Sequence, residues 1–489
     1  MLTLSNTYSS LPDRFFARAR PTGVTAPRVL AFNHTLAAEL GLDARALDSP
    51  EGAEILSGNA VPDGLAPIAM AYAGHQFGGF VPQLGDGRAI LLGEVVDRRG
   101  IRRDIQLKGA GRTAYSRGGD GRAALGPVLR EYLVSEAMHA LGIPTTRALA
   151  AVATGDRVHR ETALPGAVLT RVAASHIRVG TFQFLAARGD VEGLATLADY
   201  VIDRLYPALR ETPDRYLALL KGVADRQAEL VARWMHVGFV HGVMNTDNSS
   251  ISGETIDFGP CAFMDVYDPA TVFSSIDQGG RYQYQNQPGI AQWNLARLAE
   301  TLLPIIDGST EEAVEKANQT VVDFASTFQT AWLAGLGRKI GLSDIRDQDG
   351  VLVQSLLDLM QQDRVDWTTS FRRLADCVRG DDVPFTTLFD DRAAVARWLM
   401  DWQARLASGT PAEPEALASR MDRVNPVYIP RNHLVEEALG AAVQHDNLGP
   451  FEALMAVLAK PHDDQGPAQS RFAEPGPNDA RPYRTFCGT

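Results

Sequence analysis

Cysteine is scarce in this chain: three among 489 residues, Cys261, Cys377 and Cys487, far apart and without CxxC spacing. That excludes a dense disulfide framework and a cysteine-built zinc site, and it fits a reducing compartment such as the cytoplasm. Long apolar runs are missing as well. Stretches such as Ala89–Leu92 and Leu217–Leu220 fall far short of the roughly 20 residues a membrane-spanning helix needs, so no membrane partner is expected. Positive charge is in deficit, with 47 Lys and Arg against 59 Asp and Glu and a formal net charge of −12. No basic run or aromatic-rich basic stripe is present to bind a nucleic acid polymer. The opening segment MLTLSNTYSSLPDRFFARARP lacks the apolar stretch of a secretory signal and is interrupted by Pro12, so it reads as part of the fold.

What is present is a globular composition, 45% apolar and 22% charged, long enough for two or more packed units. Residues 1–65 mix short helical patterns with loops, as in TLAAELGL stopped by Gly41, and read as an N-terminal extension. Residues 66–185 open with a β pattern. RAILLGEVV and IRRDIQLKG flank a turn at Asp97-Arg98-Arg99-Gly100 and read as a hairpin. A Gly/Arg-rich loop, GAGRTAYSRGGDGRAALG, leads into VLREYLVSEAMHALG, whose apolar residues recur at helical spacing up to Gly142. Residues 186–460 are mainly helical by the same criterion, and 461–489 form an irregular Pro-, Asp- and Gln-rich tail containing Cys487.

Chemistry enters at His241-Gly-Val-Met-Asn-Thr-Asp-Asn248. The seven-residue step from His241 to Asn248 matches the catalytic loop H-R-D-x-x-x-x-N, and Asp257-Phe-Gly259 follows with the element that holds Mg²⁺ against phosphates. Asn248 and Asp257 are thus candidate ligands of a hard divalent cation, Mg²⁺ or Mn²⁺, completed by phosphate and water. One position departs from the pattern. Val243 stands where a kinase has its catalytic Asp, and a valine accepts no proton. The only carboxylate in the loop is Asp247, a displaced base or a second metal carboxylate. Either element alone is ordinary turn chemistry; their order is the signal.

Lys108 ends the strand-like DIQLK, as the phosphate-pairing lysine of V-A-I-K does, and needs an acidic partner. Glu131 and Glu136 in the following helix point to different faces, and Glu131, 23 residues on, is the better spaced. The turn Gly85-Asp86-Gly87-Arg88 can present backbone N–H groups and a planar charge to phosphates. Asp120 and Gly121 lie in a second charged loop. Arg171 and Arg178 in VLTRVAASHIRVG are seven apart, which on a helix puts both guanidiniums on one face, suited to a polyphosphate. Surface arginines are the plainer explanation of the same pair.

Taken together, these segments resemble the selenoprotein O family nearly end to end: NTYSSLPDRFFA, YAGHQFGGFVPQLGDGRAILLGE, LKGAGRTAYSRGGDGRAAL, HGVMNTDNSS, DFGPCAFMD and a cysteine three residues from the C-terminus. The resemblance implies an α+β, protein-kinase-like bilobal fold with a β-rich N-lobe, a helical C-lobe and terminal extensions. It implies a protein adenylyltransferase that binds ATP inverted and moves AMP to Ser, Thr or Tyr hydroxyls of proteins, releasing pyrophosphate. On that resemblance Lys108 pairs with Glu131, and Gly85, Gly87, Arg88, Asp120 and Gly121 contact the nucleotide. Arg171 and Arg178 hold its terminal phosphates, Asn248 and Asp257 bind Mg²⁺, and Asp247 accepts the proton. Cys487 occupies the selenocysteine position, which makes Cys487 and Cys261, two residues past Gly259, redox candidates. Three other readings stay open: uridylyl transfer from UTP with Mn²⁺, conventional phosphotransfer, and a redox-regulated pseudokinase scaffold.

Overall fold

The computed structural model describes residues 4–62, 64–477 and 483–486, an α+β protein organised around one eight-stranded sheet. Its strands are β1 (Phe16–Arg18), β2 (Arg28–Phe32), β3 (Ile68–Met70), β6 (Ala89–Val96), β7 (Arg102–Lys108), β8 (Ala123–Ala124), β9 (Arg147–His159) and β10 (Ala163–Ala173). They run antiparallel in the order β1-β3-β6-β7-β10-β9-β2, with β8 paired to β10. A separate hairpin, β4 (Gly74–Gln76) with β5 (Gly79–Val81), stands beside the sheet.

The β6–β7 hairpin forms because its turn satisfies its own backbone. The Asp97 amide donates to the Ile101 carbonyl at 2.8 Å, and the Asp97 carboxylate accepts the Arg99 and Ile101 amides at 2.9 Å each. Alternation along β7 then sorts the side chains. Ile105 and Leu107 enter an apolar cluster with Leu36, Leu40, Leu47 and Leu56, contributed by or flanking helices α1 (His34–Glu39), α2 (Ala44–Leu47) and α3 (Pro50–Ser57). Asp104, Gln106 and Lys108 occupy the other face.

Against that other face lies α4 (Leu125–Ala140), which ends at Gly142 with a left-handed φ of 75°. Helices α5 (Val179–Ala186), α6 (Val191–Leu205), α7 (Arg215–His236), α8 (Gln287–Leu302) and α9 (Thr310–Lys339) follow. The chain continues through α10 (Asp349–Gln362), α11 (Trp367–Val378), α12 (Val383–Thr386), α13 (Arg392–Ala407), α14 (Pro414–Val424), α15 (Asn432–His445) and α16 (Gly449–Leu458). A single large core runs from the α4 side of the sheet through these helices, and α15 packs on α4. Between α7 and α8 the short strands β11 (Phe239–Val240) and β12 (Ala262–Phe263) pair antiparallel and bracket the segment from His241 to Pro260.

One expectation is overturned here. Arg171 and Arg178 do not share a helix: Arg171 lies within β10, opposite Gln106 of β7, and Arg178 is the N-cap residue of α5. Residues 163–173 alternate Val168, Thr170 and Val172 on one face with Leu169 and Arg171 on the other. This period of two with β-branched residues favours a strand.

Candidate active site

A cleft of about 500 Å³ opens where the sheet meets the segment between β11 and β12. Eleven of the residues singled out from sequence line it: Gly85, Gly87, Arg88, Lys108, Asp120, Gly121, Arg171, Arg178, Asp247, Asn248 and Asp257. Glu131 stands just behind, on α4. Seven basic side chains against four carboxylates line this cleft in a protein of net charge −12, so it is a local well for an anion.

Asp257 is its electrostatic centre. Its carboxylate accepts from Lys108 Nζ at 2.7 Å, Arg171 Nη1 at 2.9 Å and Arg178 Nη1 at 3.0 Å. Burial alone would raise its pKa. The three cations outweigh that and hold the carboxyl well below the usual range. Glu131 closes the network from behind, accepting from Lys108 Nζ at 2.5 Å and Arg171 Nη1 at 3.1 Å. Glu136 faces elsewhere, gripping Arg147 at 2.8 Å and accepting from Asn33 at 2.7 Å. Asp257 carries a left-handed φ of 66°, uncommon for a non-glycine residue, and the ion pairs supply the compensation.

Sequence reasoning missed part of this network. Gln106, fully buried, accepts both Nε and Nη2 of Arg171, at 3.2 and 2.6 Å, and so aims that guanidinium at Asp257. The signal was legible in D-I-Q-L-K: two apolar residues alternating with three polar ones mark a strand with a buried polar face. Asp86, between the noted glycines, is buried at 3.8 Å from Arg178 Nη2 and receives the Met70 amide and Gln106 Nε2 at 3.1 Å each. Desolvation raises its pKa. The Tyr72 ring stacks under the Arg178 guanidinium, 4.6 Å from its centre.

The glycine turn differs from expectation in one respect. The amides of Gly85 and Asp86 donate to the carbonyls of Tyr72 and Met70, at 3.1 and 2.9 Å, and so are already committed. The Asp86 and Gly87 carbonyls are held by the hydroxyls of Thr113 and Ser116. The turn therefore shapes the wall and sets Arg88 at the cleft, while its first two N–H groups serve the fold. Across the cleft Asp120 is bound by Arg160 at 2.9 Å, which lowers its pKa. Gly121 has φ +67°, and a Cβ there would fall 2.0 Å from the Gly111 carbonyl oxygen, so only glycine fits.

Asp247 sits in a 3₁₀ turn, Thr246–Asn248. Its Oδ2 accepts from Gln76 at 3.3 Å, while Oδ1 is buried without a hydrogen-bond partner among the described residues. Burial pushes its pKa up to about 6, with Arg178 opposing. His241 does not reach the cleft; it is buried, with Nε2 2.9 Å from the Ile256 carbonyl oxygen. Val243 lines the cleft.

No three His, Cys, Asp or Glu side chains converge into a metal cluster among the described residues. The oxygens of Asp257 and Asn248 face one cleft, and Asn248 Nδ2 is spent on the Val243 carbonyl at 3.0 Å, which leaves its oxygen available. Such a set of hard oxygen donors fits a divalent cation that takes its remaining ligands from phosphate and water. Cys261 is fully buried, and desolvation pushes its thiol up to about 11. Cys487 lies outside the described residues.

Comparison with known proteins shows the family. The family model described as protein adenylyltransferase SelO matches residues 1–459. Proteins named protein nucleotidyltransferase YdiU are similar over almost the whole chain. The one from Rhizobium rhizogenes is 63% identical over 490 residues, covering 100% of this chain and 97% of its own. That from Bradyrhizobium diazoefficiens is 62% identical over 490 residues, covering 99% and 98%. The Rhizobium meliloti protein is 60% identical over 486 residues, covering 99% of each. The chain therefore belongs to the SelO family, and it is an enzyme of the protein nucleotidyltransferase class.

Proposed function

We propose that the chain is a kinase-like, bilobal protein adenylyltransferase of a reducing cytoplasm, which moves AMP from ATP to Ser, Thr or Tyr hydroxyls of proteins and releases pyrophosphate. Residues 66–185 form the N-lobe of this reading, 186–460 the C-lobe, and 1–65 and 461–489 the extensions. The observation that carries it is the division of labour between two aspartates in one cleft. Asp257 is paired with Lys108, Arg171 and Arg178, whereas Asp247 keeps an oxygen without a hydrogen-bond partner among the described residues.

Arg171 and Arg178, fixed by Gln106, Asp86 and Tyr72, are placed for the terminal phosphates, with Lys108 held between Glu131 and Asp257. Arg88, Asp120, Gly121 and the Gly85–Gly87 turn border the rest of the nucleotide. Asn248 and Asp257 would hold Mg²⁺ or Mn²⁺, which when bound neutralises phosphate charge. The acceptor oxygen attacks the α-phosphorus, the bond to the bridging oxygen of pyrophosphate breaks, and the hydroxyl proton passes to Asp247. With its pKa near 6, Asp247 is ionised at neutral pH yet basic enough to take a proton. The arginines, already in place, stabilise charge on the leaving pyrophosphate without reorganising.

Intact mass of a protein acceptor after incubation with ATP and Mg²⁺ tests the reading. A gain of one AMP per site is expected; a gain of phosphate would replace it with conventional phosphotransfer. A UMP gain that UTP and Mn²⁺ produce far better than ATP would reassign the donor.

A further inference from the structure

Beside Asp247 the cleft ends in a rim that nucleotide chemistry does not need. The β4–β5 hairpin is fastened to the loop that carries Asp247. The His75 amide donates to Thr246 Oγ1 at 2.7 Å, the Phe77 amide to Asn245 Oδ1 at 3.1 Å, and Gln76 reaches Asp247 itself. A Cβ on Gly74 would lie 2.6 Å from Asp247 Oδ1, so the hairpin backbone closes on that carboxylate as only glycine allows. The hairpin nevertheless turns its large side chains outward: Phe77 and Phe80 are 38% and 43% exposed, with Ile276 across the cleft at 56%. Isolated exposed apolar residues are ordinary. Two on a hairpin fastened to the loop of the candidate base, with Ile276 on the same cleft, are a surface held ready.

Next to them, Arg281 lies over the Trp293 ring at 5.0 Å and the Tyr282 ring at 5.7 Å. Its guanidinium has no carboxylate oxygen within 4.0 Å among the described residues, the Asp277 carboxylate accepting its backbone amide at 2.9 Å, unlike its neighbour Arg297, which pairs with Glu300 at 2.6 Å. The Nε of Arg281 is buried and has no hydrogen-bond partner among the described residues. The Arg281 guanidinium is thus a cation held on aromatic rings with no carboxylate paired to it among the described residues.

We infer that this rim docks the acceptor polypeptide, as a segment whose hydroxyl residue is flanked by an apolar side chain lying on Phe77, Phe80 and Ile276 and by an acidic side chain meeting Arg281. The inference rests on the proposed role of Asp247 only in naming the hydroxyl; the docking surface stands on the rim itself. It accounts for what the cleft's phosphate-facing cations cannot: recognition of the acceptor.

The test is binding of fluorescein-labelled synthetic peptides, followed by anisotropy, with a central serine flanked by leucine and either glutamate or lysine. The intact enzyme should bind the glutamate peptide at least about 5-fold more tightly than the lysine peptide. Arg281→Glu should reverse that order, and Phe80→Ala should weaken both by about 5- to 10-fold. Affinity for ATP should stay unchanged in both variants, which also reports that they fold. Equal binding of the two peptides by the enzyme and by Arg281→Glu would overturn the inference. So would competitive displacement of the peptide by a non-hydrolysable ATP analogue, because the rim would then belong to the nucleotide. Parallel reactions with α- and γ-labelled ATP separate the two ideas. Charge-selective binding with γ-label transfer leaves the docking surface and removes nucleotidyl transfer; α-label transfer with charge-blind binding does the reverse.

Discussion

Asp247 and Asp257 face the same cleft, yet their surroundings push their pKa values in opposite directions, so their replacement should have opposite consequences. Burial raises Asp247 from 3.8 to about 6, so the stability its neutral form contributes is fully present below about 3.8 and is lost as pH rises through about 6. At pH 7.5 the charged group is a net cost. Asp247→Asn should therefore gain about 1–2 kcal/mol of stability, seen as a higher Tm, while transfer falls by orders of magnitude. In the unaltered enzyme, kcat/KM should rise with pH up to about 6 and then level; a flat profile from pH 5 to 8 would remove Asp247 as the proton acceptor. Asp257 has the contrary sign. Its lowered pKa contributes stability above the unfolded value, which is lost as pH falls toward the folded one. Asp257→Ala strands three buried cations and should cost about 3–5 kcal/mol as well as transfer. Near-normal turnover of that variant at saturating Mg²⁺ would refute its placement at the phosphates.

Helix α4 separates function from framework within five residues of one sequence. Glu131 turns to Lys108 and Arg171; Glu136 turns to Arg147, Asn33 and the Ala148 amide. Glu136→Ala should lower stability by about 1–3 kcal/mol with kcat within about twofold of normal, whereas Glu131→Ala should reduce transfer at least about tenfold. Comparable kinetic loss in both would mean that α4 acts only as a scaffold. This helix was legible because apolar spacing, Gly142 and the distance from Lys108 agreed. The β6–β7 hairpin was legible because its turn residues and alternation agreed. Strands β9 and β10 were not: small residues such as Ala148, Ala150 and Ala151 blur a period of two, and the seven-residue step between Arg171 and Arg178 imitates helical spacing. The two arginines nevertheless converge on Asp257, one from a strand and one from a helix N-cap, because β10 leads directly into α5. Gln106 was signalled by the alternation of D-I-Q-L-K, whereas Asp86 was not, because a polar residue in a glycine turn announces burial only once the fold supplies its partners.

At the scale of the whole molecule, an acidic protein concentrates basic side chains in one cleft, so attraction to a polyphosphate is local and short-ranged. Affinity for ATP should weaken severalfold between about 50 and 500 mM salt, and less in Arg171→Ala, which removes part of the field. An unchanged affinity in that variant would place Arg171 outside the phosphate site. The family was legible because its segments are spread over nearly the entire chain, and the structure brings residues of four of them, within 72–94, 107–125, 241–250 and 257–265, into a single cleft. On the proposed reading, the direction in which ATP lies decides which phosphate meets the acceptor. The most direct measurement is therefore parallel incubation of a protein acceptor with ATP labelled at either the α- or the γ-phosphate. The account predicts that protein retains the α label and never the γ label, with loss of labelling in Asp257→Ala; γ label on protein without α label would contradict it.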